Sequence, residues 1–184
     1  VKTLNKKGRH FNTHPYLQKR WAQVGRKLAF SCETRREAAQ WRSGTIRKLK
    51  QLTGYDTMRP TDPAPRITGK KVFDDYLRQR VEIETEPGII MPVFVLIPRH
   101  VPLPRPAVIA PHGHSSGGKL AVAGCREIPE IAETIDKHNY DYGVQFARAG
   151  FITFCPDARG FGERQEEAAK DSILNSSCQW INNM

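Results

Sequence analysis

The stretch Pro106-Ala-Val-Ile-Ala-Pro-His-Gly-His-Ser-Ser-Gly-Gly118 decides the fold. Its first six residues form a short apolar run of the kind shown by a strand covered on both faces. A glycine-rich loop, His112 to Gly118, follows at once. Downstream, Tyr142-Gly-Val-Gln-Phe-Ala-Arg-Ala-Gly150 has a helical pattern closed by glycine. A second apolar run, Phe151-Ile-Thr-Phe-Cys155, then ends in Pro156-Asp-Ala-Arg-Gly-Phe-Gly-Glu-Arg164. This order predicts an α/β fold built on a βαβ unit. Both loops fall at the carboxyl ends of their strands, where open α/β sheets bind ligands.

Upstream, Val81 and Ile83 alternate with Arg80, Glu82 and Glu84, as in a strand with one wet face. Pro87-Gly88 supplies the two central residues of a type II turn. The return strand runs from Ile89 to Ile97, with Pro92 arguing against a fully bonded central position. Lys70 to Pro98 therefore reads as an antiparallel hairpin, joined by a proline-rich connection to the first parallel strand.

Length and composition bound the rest. The chain has 184 residues, 39% of them apolar, enough for one domain with a real core. No run approaches a membrane span, and Val1 to Lys7 lacks the apolar segment of a secretory signal. A cytoplasmic protein is expected, although a chain beginning with Val leaves its start open. Cys32, Cys125, Cys155 and Cys178 lie far apart with no C-x-x-C pair, so reduced thiols are expected rather than a zinc site or disulfide framework. His10, His14, His100 and His138 have no ligand spacing, and no metal or cofactor is expected.

Charge divides the chain. Residues 1 to 60 hold 15 Lys and Arg against 3 Asp and Glu, whereas residues 61 to 184 hold 14 against 16. The basic third is helical in pattern. Val1 to Asn12 reads as a frayed start, and Leu17, Trp21, Val24 and Leu28 share one helical face. Thr34-Arg-Arg-Glu37 fits a capping box. A helix from about Arg35 to Thr53 comes next, closed by Gly54. Residues 1–55 thus form a basic helical arm, and 56–69, with Pro60, Pro63 and Pro65, a linker. Residues 70–184 carry the α/β domain. A solvated face explains the charge better than a nucleic-acid footprint, since no nucleic-acid motif accompanies it. Trp21 and Trp41 read as core residues rather than base-stacking platforms.

The His112-Gly113 loop after a strand, the helix next to it, and the strand ending Pro156-Asp-Ala-Arg-Gly-Phe-Gly-Glu163 resemble the α/β-hydrolase family, in its dienelactone-hydrolase and acetyl-xylan-esterase-like branch. The strand pair around Glu86 to Pro98 is similar to the one that precedes that loop there. The resemblance implies the N-terminal part of a serine carboxylic-ester hydrolase acting on acetyl esters or lactones, with a small-molecule or saccharide ester as substrate. It also implies that His112, Gly113 and His114 form the oxyanion loop, with the backbone N–H of His114 as donor. Such a donor stabilises the charge that develops on a carbonyl oxygen in acyl transfer. A glycine at the second loop position lets the backbone turn inward, and the His112 side chain is expected to pin the loop.

Gly113-His-Ser-Ser-Gly117 also matches the G-x-S-x-G nucleophile elbow, which makes Ser115 a nucleophile candidate. It is the weaker assignment. No capped helix is expected over Gly118 to Gly124, Pro129 interrupts the next segment, and His138 precedes Asp157, against the family's Ser, acid, His order. By resemblance, the elbow follows the strand that comes after Pro156-Asp-Ala-Arg-Gly160. Asp157 and Arg159 lie in the second loop and can reach a substrate, although a turn-forming Asp paired with a local Arg is preferred. Glu127, Glu130 and Glu133 read as a solvated face. A helix is expected within Ile173 to Met184, which includes Trp180.

On this reading the nucleophile, acid and histidine lie beyond Met184, and the chain alone is inert. The last parallel strand is expected to leave an unpaired edge, and a homo-oligomer is left open. The alternative is a non-catalytic basic module whose arm contacts nucleic acid or an acidic partner.

Overall fold

The structure, a computed structural model, describes residues 13–167 and 172–178. The chain forms two compact units, Val1–Met58 and Arg59–Met184. The first contains α1 (Thr13–Gln23) and α2 (Arg35–Leu52). The α2 capping box is complete: the Glu37 amide donates to Thr34 Oγ1 at 3.2 Å, and the Thr34 amide donates to Glu37 Oε2 at 3.0 Å. Those two amide donors of the helix start therefore have partners. Gly54 adopts φ 68° just past the helix, where a side chain would be strained.

α1 stops at Gln23, short of Leu28, and Trp21 is 75% exposed. Within this unit the helical face expected to be core is not buried. Trp41 is half-buried, with Nε1 donating to the Leu28 carbonyl at 2.9 Å and its ring edge-on to Phe30. The residues expected to fray, Val1 to Asn12, lie outside the described ones, as does His10.

The second unit is built on a five-stranded mixed sheet of order β1-β2-β3-β5-β4. β1 (Arg66–Val72), β2 (Tyr76–Glu86) and β3 (Ile89–Pro98) form an antiparallel meander. β1 starts inside the stretch read as linker, so the expected hairpin has a third strand. Gly88, at φ 79°, makes the turn between β2 and β3. β4 (Ala107–Ile109) and β5 (Ile152–Pro156) pair in parallel, and β5 inserts between β4 and β3.

That insertion corrects three expectations. β3 is a central strand, bonded to β2 along its length and to β5 over Val93–Leu96. Pro92 is tolerated because it lies just outside the β5 ladder, where its missing N–H is not required. β4, rather than the later parallel strand, lies at an edge of the sheet among the described residues, with β1 at the other. Consequently β4 is not covered on both faces: Ile109 is 72% exposed. An apolar run of three residues does not distinguish an edge from a centre.

Alternation on the sheet separates two apolar clusters. Tyr76, Leu96 and Cys155 face α3 (Lys119–Val122), α4 (Pro129–His138) and α5 (Tyr142–Arg148). Val81, Val93 and Val95 point the other way, in a cluster made of strand residues. Ile131 and Ile135, one helical turn apart on α4, are fully buried. Each such side chain contributes about 1.5–3 kcal/mol of transfer free energy. Pro129 does not break a helix; it stands in the first turn of α4, where no amide is needed.

All four cysteines are free thiols. Among the described residues no helix is long and apolar enough to cross a membrane.

Replacing Thr34 by Ala removes the side-chain half of the α2 cap and should cost about 1 kcal/mol of helix stability, while Thr34→Ser should retain it. Thermal melts followed by far-ultraviolet circular dichroism check both.

Candidate functional site

The two loops that leave β4 and β5 meet. Ser116 is buried, and its hydroxyl reaches the carbonyls of Gly113 at 2.7 Å and Gly118 at 3.0 Å, which closes the first loop on itself. The Ala158 amide of the second loop donates to His112 Nε2 at 3.0 Å. The ring proton therefore sits on Nδ1, which lies 3.0 Å from the Gly113 carbonyl. Both ring nitrogens are thus committed to holding the loops. Phe161 packs against both loop histidines, with ring centroids 4.9 Å from His112 and 5.0 Å from His114. On the far side, the Tyr142 hydroxyl of α5 donates to the Pro111 carbonyl. Among the described residues, the backbone N–H of His114 donates to no protein acceptor.

Below this surface lies an ion pair. Lys119 and Asp157 are 1% and 0% exposed, with Nζ 2.5 Å from Oδ2. Asp157 Oδ1 accepts the Lys119 amide at 2.7 Å, and Oδ2 accepts the Glu163 amide at 3.2 Å. Lys119 Nζ also reaches Glu163 Oε1 at 2.5 Å, and Arg80 grips Glu163 from β2. Burial alone would raise the Glu163 pKa, but hydrogen bonds from Arg80 and Lys119, with their charges, outweigh it and hold the carboxyl below its usual range. A cavity of about 490 Å³ opens beside this network, with Lys119, Glu163 and Gln165 in its wall.

The Asp157 carboxylate therefore does not pair with a local arginine, although the Asp157 backbone carbonyl accepts from Arg164 Nη1 at 3.1 Å. Its carboxylate belongs to Lys119, and Arg159 pairs instead with Glu86 across the surface. Glu127 is likewise not simply solvated: it binds Arg78, which is 5% exposed. The glycine that the first loop requires is Gly118 rather than Gly113. A Cβ on Gly113 would meet nothing within 4 Å, whereas one on Gly118 would lie 2.3 Å from Asp157 Oδ1. Gly118, at φ 64° and ψ −134°, is what lets the backbone close on the carboxylate.

Ser115 is exposed, with φ 59°, and one helical turn, α3, does come after the loop. Among the described residues no imidazole is bonded to it: His112 is fully engaged, and His114 Nε2 faces Cys178 Sγ. Residues 173–175 form a turn region and Ser176 a β-bridge, while 179–184, with Trp180, lie outside the described residues. Sequence reasoning missed Lys119, Glu163 and Cys178. The signal for Lys119 was present, as a lone cation immediately before the apolar run Leu120 to Ala123.

The Abhydrolase family's sequence profile matches residues 1–180. The chain belongs to the Abhydrolase family. No curated protein matches it. Among solved structures, a candidate acetyl xylan esterase from Bacteroides fragilis NCTC 9343 is similar in fold, with a TM-score of 0.71 at 20% identity. The match covers 98% of this chain and 46% of that one, so this Abhydrolase chain spans less than half the length of that structure.

Lys119→Met would leave the Asp157 carboxylate buried without its cation, at a cost of about 3–5 kcal/mol. Arg159→Ala, which opens an exposed pair, should cost no more than about 1 kcal/mol. Urea midpoints of the two variants should show that order.

Proposed function

We propose that this chain supplies the oxyanion loop of a serine carboxylic-ester hydrolase acting on small acetylated or lactone substrates, saccharide esters included. The observation that carries the reading is the unpartnered His114 amide, on a loop held from three sides, at the carboxyl end of a parallel strand pair. A preorganised N–H of this kind needs no rearrangement when a tetrahedral intermediate forms. One such donor is worth on the order of 10²–10³ in kcat. Family membership supports hydrolase chemistry, and the name of the Bacteroides structure supports an ester as the bond attacked.

The reading assigns the nucleophile, the acid and the catalytic histidine to polypeptide outside residues 1–184. Ser115 has no base beside it among the described residues, and Asp157 is committed to Lys119. The attacking serine would form an acyl-enzyme, with the His114 N–H taking up the oxyanion charge and water completing hydrolysis.

Hydrolysis of p-nitrophenyl acetate tests this. The 184-residue chain should give no turnover above its Ser115→Ala variant. A polypeptide extended through the coding sequence after Met184 should be active. Ser115-dependent turnover by the shorter chain would overturn the assignment of the nucleophile, and an inert, folded extension would overturn the hydrolase reading.

A further inference from the structure

We infer that Cys178 is a nucleophilic thiol served by His114, a modification site for small disulfides of the glutathione type. Its Sγ lies 3.5 Å from His114 Nε2, within hydrogen-bond reach for sulfur, and 3.1 Å from Ser176 Oγ. A thiol within reach of an imidazole is the arrangement that activates cysteine nucleophiles. The Ser176 hydroxyl adds a donor to the sulfur as negative charge develops.

The pairing joins residues 64 apart in the chain, and the fold holds both sides. Ser176 forms a β-bridge with Phe161, and the Ser177 amide donates to the Gly160 carbonyl at 2.8 Å. These bonds fasten the Cys178 segment to the second loop. Phe161 meets the His114 ring edge-on and orients it from another side. The inference does not depend on the hydrolase reading.

The other thiols lack this arrangement. Burial pushes Cys125 up to about 11 and Cys155 up to about 12, so both remain protonated and enclosed at neutral pH. Cys32 has no hydrogen-bond partner among the described residues.

In the step itself, His114 Nε2 takes the proton from Sγ and the thiolate attacks one sulfur of glutathione disulfide. A new S–S bond joins Cys178 to one glutathione as the old S–S bond breaks. The second glutathione leaves as a thiolate and takes up the proton. Cys178 is oxidised, and the departing glutathione is the reduced product.

Glutathione disulfide is the probe, applied at neutral pH to the 184-residue chain, with mass gain at each cysteine followed by peptide mapping. Cys178 should react first, about tenfold or more faster than Cys32, and His114→Asn should slow it about tenfold. A free thiol is only a few per cent ionised at neutral pH, so a base can add at most about thirtyfold. Protection of Cys125 and Cys155 reports that the variant is folded. If it is not, the ratio of the Cys178 and Cys32 rates in the unsubstituted chain decides alone. The inference is overturned if Cys178 reacts no faster than Cys32, or if folded His114→Asn reacts at an unchanged rate.

Discussion

The buried ion pair between Lys119 and Asp157 is the constraint on which the rest of the second unit depends. Removing both charges from water is costly, and only close geometry with further hydrogen bonds offsets it. Here the carboxylate accepts two backbone amides as well as the ammonium, so its oxygens have donors on several sides. Gly118 and Gly162 are the walls of that enclosure: a Cβ on either would lie within 2.5 Å of the carboxylate. Lys119 begins the helix after the first loop, and Asp157 begins the loop after β5. One electrostatic contact therefore ties both strand exits together, and the His112 bond to Ala158 repeats the tie nearer the surface.

The pair is also one link in a longer chain of alternating charge. Lys119 shares Glu163 with Arg80, Arg80 shares Glu82 with Arg66, and these residues run from the second loop across β2 to β1. Phe94 of β3 lies beneath two cations, with Lys119 Nζ 5.2 Å and Arg78 5.1 Å from its centroid. The antiparallel meander and the parallel crossover are thus joined by more than the β3–β5 ladder. Charges near the centre of the sheet have partners at each step, as burial demands. The outermost pairs, such as Arg66 with Glu82, sit where water screens them and contribute little.

Local patterns carried much of this fold into the sequence. The Thr34 capping box and the Pro87-Gly88 turn were legible because each depends on neighbours a few residues apart, and the parallel pairing on either side of Tyr142–Gly150 because a strand, helix, strand order implies it. Strand order was not. Ala107–Ile109 and Ile152–Pro156 are equally apolar, yet one is an open edge and the other central, because that depends on where β5 enters the sheet. The same limit hid the partner of Asp157. A turn-forming Asp near Arg159 is the local solution, while the observed cation comes from 38 residues away. Glycines were visible, but which one the backbone requires was not. Gly113 has open space where a side chain would go, and Gly118 has none.

These constraints bear on how a family can diverge while its loop keeps one shape. If the group offered to substrate is a backbone N–H, the side chain at that position is free to vary, and selection falls on whatever holds the backbone. In this chain those holders are the hydroxyl of Ser116, the Nδ1–H tautomer of His112, the glycine at 118 and the Lys119–Asp157 pair. The similarity to the Bacteroides structure at 20% identity is a likeness of backbone path, which is the level at which such a loop works. The His114 side chain, released from that duty, is available for a different contact, and it is the imidazole that meets Cys178. A single residue can thus present its amide to one chemistry and its ring to another, provided the loop beneath it does not move.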